Sequence, residues 1–187
     1  MKPFVGSSAR IHDPRLLSVY GMYEHDSGND DTASELLAAA MEDRVIRPSA
    51  YIDLAEIRYS KAAAKPLGAS GKINAAPAVS IVGPLKLALE NTPLPEPYWL
   101  IARTWEVCDA RPPEEDIKLL ARGVRLFPRI TKITYRSAFV GIRNGDLELA
   151  NEMIESGRRF VTKEADIGEF DRLRSTAANP RVNGNGP

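Results

Sequence analysis

The feature that most constrains this chain is a spaced set of small residues that occurs twice. Gly21, Ala33 and Ala40 stand twelve and seven residues apart, and Ala138, Ala150 and Gly157 repeat that spacing. In both sets a turn-forming pair falls seven residues after the first small residue, Gly28-Asn29 in one and Gly145-Asp146 in the other. Self-similarity of this sort marks a repeated supersecondary unit. The residue types have a steric reason. Two antiparallel helices joined by a short turn approach most closely where side chains are small, so Gly or Ala is needed at the crossing. Larger residues such as Leu17, Tyr20 and Leu37 are expected to fill the space around it. The turn glycine supplies a positive φ at the helix end.

The remaining sequence has the same grammar of helix, turn, helix and proline. Asp13-Pro14 reads as an N-cap followed by proline at the first helical position. Helical spacing continues from there to Ser27-Gly28-Asn29, then over 31–44, with Pro48 expected to stop the second helix and Ser49 to cap a third reaching about Ala64. A Pro/Gly-rich loop over 65–74 precedes a helix over about 75–90, in which Pro84 predicts a kink or a delayed start. Further helices are predicted over 96–108, 114–127, 132–144 and 147–160, and a last amphipathic one carries Ile167, Phe170 and Leu173. No segment sustains period-two alternation, so the chain is read as all-α. The predicted organisation is a lead-in over 1–12, expected to be flexible, and a domain of about four helix pairs over 13–160. A capping helix over 161–178 and a disordered tail over 179–187 complete it.

Composition narrows the function classes. Twenty-five basic and twenty-five acidic residues cancel, so no global field points to nucleic acid or an anionic membrane. No run approaches the length of a spanning helix, and the first residues lack the apolar centre of a signal peptide, which makes the cytoplasm the default compartment. Cys108 is the sole cysteine, so neither an intrachain disulfide nor a cysteine metal cluster can form.

The catalytic inventory is thin. Of the two histidines, His12 lies in the lead-in and His25 beside an acidic turn. Glu24, His25 and Asp26 are adjacent on a helix and point different ways, so a solvated histidine is expected there rather than a metal ligand. Cys108 has no evident histidine partner for nucleophilic chemistry. Glu114, Glu115 and Asp116 open a helix, where carboxylates complement the dipole. The loop Gly68-Ala69-Ser70-Gly71-Lys72 lacks the strand and the full spacing of a phosphate loop and reads as a mobile turn. The expectation is a non-enzymatic chain without cofactor or metal.

On these residues the chain resembles the tetratricopeptide repeat family. Leu17, Tyr20, Gly21, Ala33, Leu37 and Ala40 match its pattern in a first unit, and Thr134, Ser137, Ala138, Ala150, Ile154 and Gly157 in a last. Two stretched units lie between, on Tyr51, Leu54, Ala55, Leu85, Ala88 and Pro93, and on Tyr98, Ile101, Ala102, Trp105, Leu120, Gly123 and Pro128. Asp116 departs from the pattern by standing where the family prefers Ala, and Ser137 replaces a usual Leu. The resemblance covers roughly 14–160 and implies antiparallel helix-turn-helix repeats stacked as a short right-handed superhelix, an α-solenoid. It also implies a concave face, formed by the first helix of each pair, that binds a protein or peptide. Its residues would be Met22, Ile52, Glu56 and Tyr59, then Trp99, Arg103 and Glu106, then Tyr135, Arg136, Phe139 and Arg143, with His25 beside Met22. Aromatic and Arg residues are the types that dominate binding energy. Lys132 and Arg136 have the spacing of a basic clamp for a carboxylate, but Ile52, Glu56 and Leu100 stand where its other members are required. The stretched spacing also resembles repeat tails of larger bacterial proteins, some with a peptidase-like part, which implies a regulatory or targeting tail. Self-association as a homo-oligomer through an apolar end helix is the remaining alternative.

Overall fold

In a computed structural model of the chain, residues 13–44, 47–65 and 72–178 are described. The predicted lead-in with His12, the tail over 179–187 and most of the glycine-rich loop lie outside them. Among the described residues there are nine α-helices and no strand. Neighbouring helices pack in sequence order, as expected of an all-α helical repeat. The chain divides into two compact units, residues 1–93 and 94–187.

The first unit holds α1 (Pro14–Asp26), α2 (Asp30–Glu42), α3 (Pro48–Ala64) and α4 (Ala75–Asn91). α1 packs on α2 and α3, α2 on α3, and α3 on α4. The start of α1 is as read from sequence: Asp13 accepts a hydrogen bond from the Arg15 backbone N–H at 2.9 Å, and Pro14 takes the first helical position. The α1–α2 crossing is tight. A Cβ on Gly21 would stand 2.6 Å from Leu37 Cγ, while Ala33 and Ala40 are buried.

Two expectations fail here, and one of the two outcomes expected of Pro84 is absent. Tyr20 does not fill the crossing; it is 43% exposed on the outer side of α1. Pro48 opens α3 at its first position, where its missing N–H costs nothing, and Arg47 rather than Ser49 is the N-cap. Pro84 does not delay α4, which starts at Ala75 and runs through it. Proline at position 84 removes the N–H that would have bonded the Ser80 carbonyl. That carbonyl accepts instead from Arg58 Nη1 of α3 at 2.7 Å. The neighbouring helix thus supplies the donor that the proline lacks.

The second unit holds α5 (Pro95–Glu106), α6 (Glu114–Leu126), α7 (Thr131–Asn144), α8 (Leu147–Phe160) and α9 (Glu164–Ala178). Here α5 packs on α6 and α7, α6 on α7 and α8, α7 on α8 and α9, and α8 on α9. Ala138 and Ala150 are buried, as is Gly157. A Cβ on Gly157 would stand 2.5 Å from the Phe170 ring, so this glycine seats α9. Gly123 admits the Tyr98 ring in the same way.

The two matched turns are the same structure. Gly28 (φ 81°) and Gly145 (φ 87°) are left-handed. The next residue bonds back five positions in each case, Asn29 N–H to Glu24 O at 2.8 Å and Asp146 N–H to Gly141 O at 3.0 Å. This is the Schellman closure that pairs otherwise unsatisfied terminal carbonyls. Asp146 then caps α8 by accepting from the Leu149 N–H at 3.4 Å.

Asp116 is more than a helix-start carboxylate. It is 1% exposed, and its Oδ2 accepts from the buried Trp105 indole N–H at 2.9 Å. The acid at the position where the resembled family prefers Ala satisfies a donor that burial would otherwise leave without water.

Candidate functional site

The side chains expected on a concave face fall in both units. In the first, Met22 and Ile52 are half-buried and Glu56 is exposed. Met22 packs against the core cluster of Ala33, Leu37, Ala50, Leu54 and Ile57. Tyr59 is 8% exposed and belongs to the core, not to an open face. The α3 helix is buried on more than one side, so a position chosen by spacing alone landed inside. His25 is not simply solvated: its Nδ1 lies 2.8 Å from Asp30 Oδ1 across the α1–α2 turn. The Asp53 carboxyl is pushed above its ordinary range, first by burial and then by Glu56 and Asp26, with His25 acting in the opposite sense.

The second unit gathers more. Trp99 on α5 has the Arg103 guanidinium of the same helix 5.2 Å and the Lys132 ammonium of α7 4.8 Å from its ring centroid, so Lys132 joins α7 to α5 through the indole. Arg136 of α7 forms an ion pair with Glu106 of α5, both partly buried. Tyr135 meets Phe170 of α9 edge-on, with ring centroids 5.8 Å apart and planes at 80°. Burial, reinforced by Glu169 and opposed by Arg172, pushes the Tyr135 phenol up. Phe139 is half-buried.

Arg143 is placed differently from the expectation. Its Nη1 donates to the carbonyls of Trp105 (3.2 Å) and Glu106 (2.8 Å), and its Nη2 to those of Cys108 (2.6 Å) and Ala110 (3.1 Å). These carbonyls belong to the end of α5 and the turn after it, where helical partners run out. Arg143 therefore fastens that turn and does not offer its guanidinium to a ligand. Cys108, inside the same turn, is buried, and burial raises its thiol pKa above the ordinary value. A thiol held protonated is a poor nucleophile.

Between α7 and α9 lies a cleft of about 310 Å³, lined by Thr131, Lys132, Tyr135, Arg136, Asp166, Glu169 and Phe170. Tyr135 and Phe170 give it an apolar wall, α7 contributes two cations, and α9 contributes two carboxylates. Sequence reasoning found Tyr135 and Arg136 and noted Lys132 and Phe170 in other roles, but did not assign α9 to the site. The signal was present in the apolar positions 167, 170 and 173, because a helix with that stripe packs on its neighbour and brings the flanking Asp166 and Glu169 with it.

Among the described residues, no group of three or more His, Cys, Asp or Glu side chains is arranged to hold a metal ion. No helix of the described residues is long and apolar enough to cross a membrane. No protein-family model matches the chain, and no curated protein matches it.

Proposed function

We propose that the chain is a protein- or peptide-binding scaffold built from tetratricopeptide-like helix pairs, and that its second unit carries the binding face. The single observation that carries this reading is the α7–α9 cleft. Its size suits one large side chain of a partner, it has an aromatic wall, and it has charges of opposite sign on facing helices. The ligand it favours is a short segment with an aromatic or branched apolar anchor flanked by one acidic and one basic residue. The acidic residue faces Lys132, and the basic residue faces Asp166 and Glu169. Trp99 extends the apolar surface along α5.

The repeat reading is supported by helix order and by sterics. In the second unit the first helix of each pair touches the first helix of the next, α5 on α7 and α7 on α9. Of the repeated small residues, Gly21, Ala150 and Gly157 lie against a neighbouring helix, and the glycine turns share one hydrogen-bond closure. Neighbour-only packing of this kind is the rule in stacked helical repeats.

The test is selection of a displayed random-peptide library against the intact chain, followed by fluorescence anisotropy of one enriched peptide. The expected result is enrichment of anchor-plus-charge sequences, with binding weakened at least about tenfold by Tyr135→Ala and by Lys132→Glu. Absence of any enriched sequence, or binding indifferent to both variants, would refute the reading.

A further inference from the structure

The turn after α7 carries a chemical lability that its twin after α1 lacks. The two turns share a left-handed glycine and one backbone closure, but Ser27 precedes the first glycine and Asn144 the second. Among the described residues Asn144 is the one asparagine followed by glycine; Asn29, Asn74, Asn91 and Asn151 are followed by Asp30, Ala75, Thr92 and Glu152. An asparagine carboxamide is open to attack at Cγ by the backbone nitrogen of the next residue, which closes a cyclic imide. A side chain on that next residue crowds the attacking nitrogen, and glycine has none. Gly145 is exposed, and nothing stands within 4 Å of the place where a Cβ would sit, so water and base reach its nitrogen.

The closed turn holds the reacting atoms apart. Asn144 is the last residue of α7, and a helical ψ turns the following nitrogen away from its own side chain. Gly145 N–H donates to Ile142 O at 3.0 Å, and Asp146 N–H to Gly141 O at 3.0 Å. The side chains that fasten this stretch lie on either side of the pair: Arg143 grips the turn after α5, and Asp146 caps α8. Those two backbone bonds are what an opening has to break, and a terminal helical turn opens at far lower cost than the core.

We propose that Asn144 is a site of spontaneous deamidation, and that its isoaspartate product unlatches the α7–α8 turn. The Gly145 nitrogen gives its proton to base and bonds to Asn144 Cγ; the Cγ–Nδ2 bond breaks, and ammonia leaves with a proton taken from water. Water then adds to one of the two carbonyls of the imide. Opening on one side gives aspartate, and opening on the other gives isoaspartate, in which the main chain runs through the former side chain. Overall one water is consumed and one ammonia released, with no oxidant or reductant. Isoaspartate lengthens the main chain by one methylene just before Gly145. The Gly145 and Asp146 N–H groups then miss Ile142 and Gly141, and the pairing of the terminal carbonyls is lost. The same change loosens the close approach of Gly141 to Ala150, where an added Cβ would stand 3.2 Å from the alanine methyl. Either product also places a carboxylate at the negative end of the α7 dipole.

The test ages the intact chain in mildly alkaline buffer at physiological temperature, beside Asn144→Ser, in which the second turn reads Ser-Gly as the first does. Asn183-Gly184 and Asn185-Gly186 are present in both proteins, so the difference between the two reports position 144. Peptide mapping is expected to find aspartate and isoaspartate at position 144 of the folded, unsubstituted chain. The urea midpoint of that aged chain falls below that of aged Asn144→Ser, and amide exchange over 141–149 speeds up. Asn144→Gln, whose longer side chain closes its ring far less readily, is the second protected variant should serine disturb the turn. Asn144→Asp carries the charge without the extra methylene and reproduces only part of the loss. Conversion seen solely in the urea-unfolded chain overturns the inference, because the closure would then be a complete shield. Equal midpoints of the aged proteins despite conversion, or an Asn144→Asp loss as large as that of the aged chain, overturns it as well.

Discussion

The passage of α4 through Pro84 invites a double-mutant cycle. The Ser80 carbonyl has lost its helical donor and accepts from Arg58 Nη1 at 2.7 Å. Hydrogen bonds to a charged group contribute about 1.5–3 kcal/mol, and the pair is partly open to water, so the lower half of that range applies. Arg58→Ala should therefore cost about 2 kcal/mol in the natural background. Pro84→Ala restores an N–H at position 84, which can close the ordinary bond to Ser80. In that background Arg58 becomes largely redundant, and its removal should cost about 0.5 kcal/mol, with the remainder reflecting lost packing of its stem. The coupling is the difference, about 1.5 kcal/mol, within the span measured for residues that share a partner. Urea unfolding of the four proteins, followed by circular dichroism, gives each term from the midpoint and slope. Additivity within about 0.5 kcal/mol would refute the idea that Arg58 stands in for the missing donor. The sign of Pro84→Ala alone is not the test, because Pro84 is buried and its ring also fills space.

Other outcomes follow from the same structure. Arg143→Ala should lower stability by about 2–4 kcal/mol, less than four independent bonds because the freed carbonyls regain some water; Arg143→Lys should recover only part, and amide exchange over 107–111 should speed up in both. Asp116→Ala strands the buried Trp105 N–H and should cost about 1–3 kcal/mol in urea melts, with Asp116→Asn milder because it keeps an oxygen acceptor. Asp53 has a raised folded pKa, so its ionised form is penalised by folding, and stability is lost as pH rises through that folded value. Asp53→Asn should therefore raise the melting temperature at pH 7, and the gain should vanish below the carboxylate's ordinary value of 3.8, where both states are protonated. A gain that persists undiminished at low pH would remove desolvation as the cause.

What the sequence disclosed was mostly steric. Gly21 and Gly157 announce close approach because no larger residue fits against Leu37 or Phe170, and Gly28 and Gly145 announce left-handed turns because few other residues accept that backbone. Those constraints reside in the residue itself. The missed features reside in partners far along the chain. Arg143 was assigned to an open face because it fits the spacing, yet its four acceptors lie on a turn that only the fold brings near. Pro84 was read as a kink or a delayed start, and the donor that replaces its missing N–H comes from Arg58 on another helix. Tyr20 and Tyr59 exchanged their expected roles for a related reason: periodicity places a residue on a side of a helix but does not say which sides have neighbours. The candidate cleft was half legible, with α7 read as a lining helix and α9 as a cover alone.

The seat that Gly157 provides for Phe170 has a consequence for control of that cleft. The glycine lies on α8, outside the lining, yet it sets how deeply α9 can settle and hence the gap between its carboxylates and the cations of α7. A methyl group there would act as a shim. Gly157→Ala would alter the aperture while leaving every group that meets a ligand chemically intact, separating the shape of the opening from the chemistry of its walls.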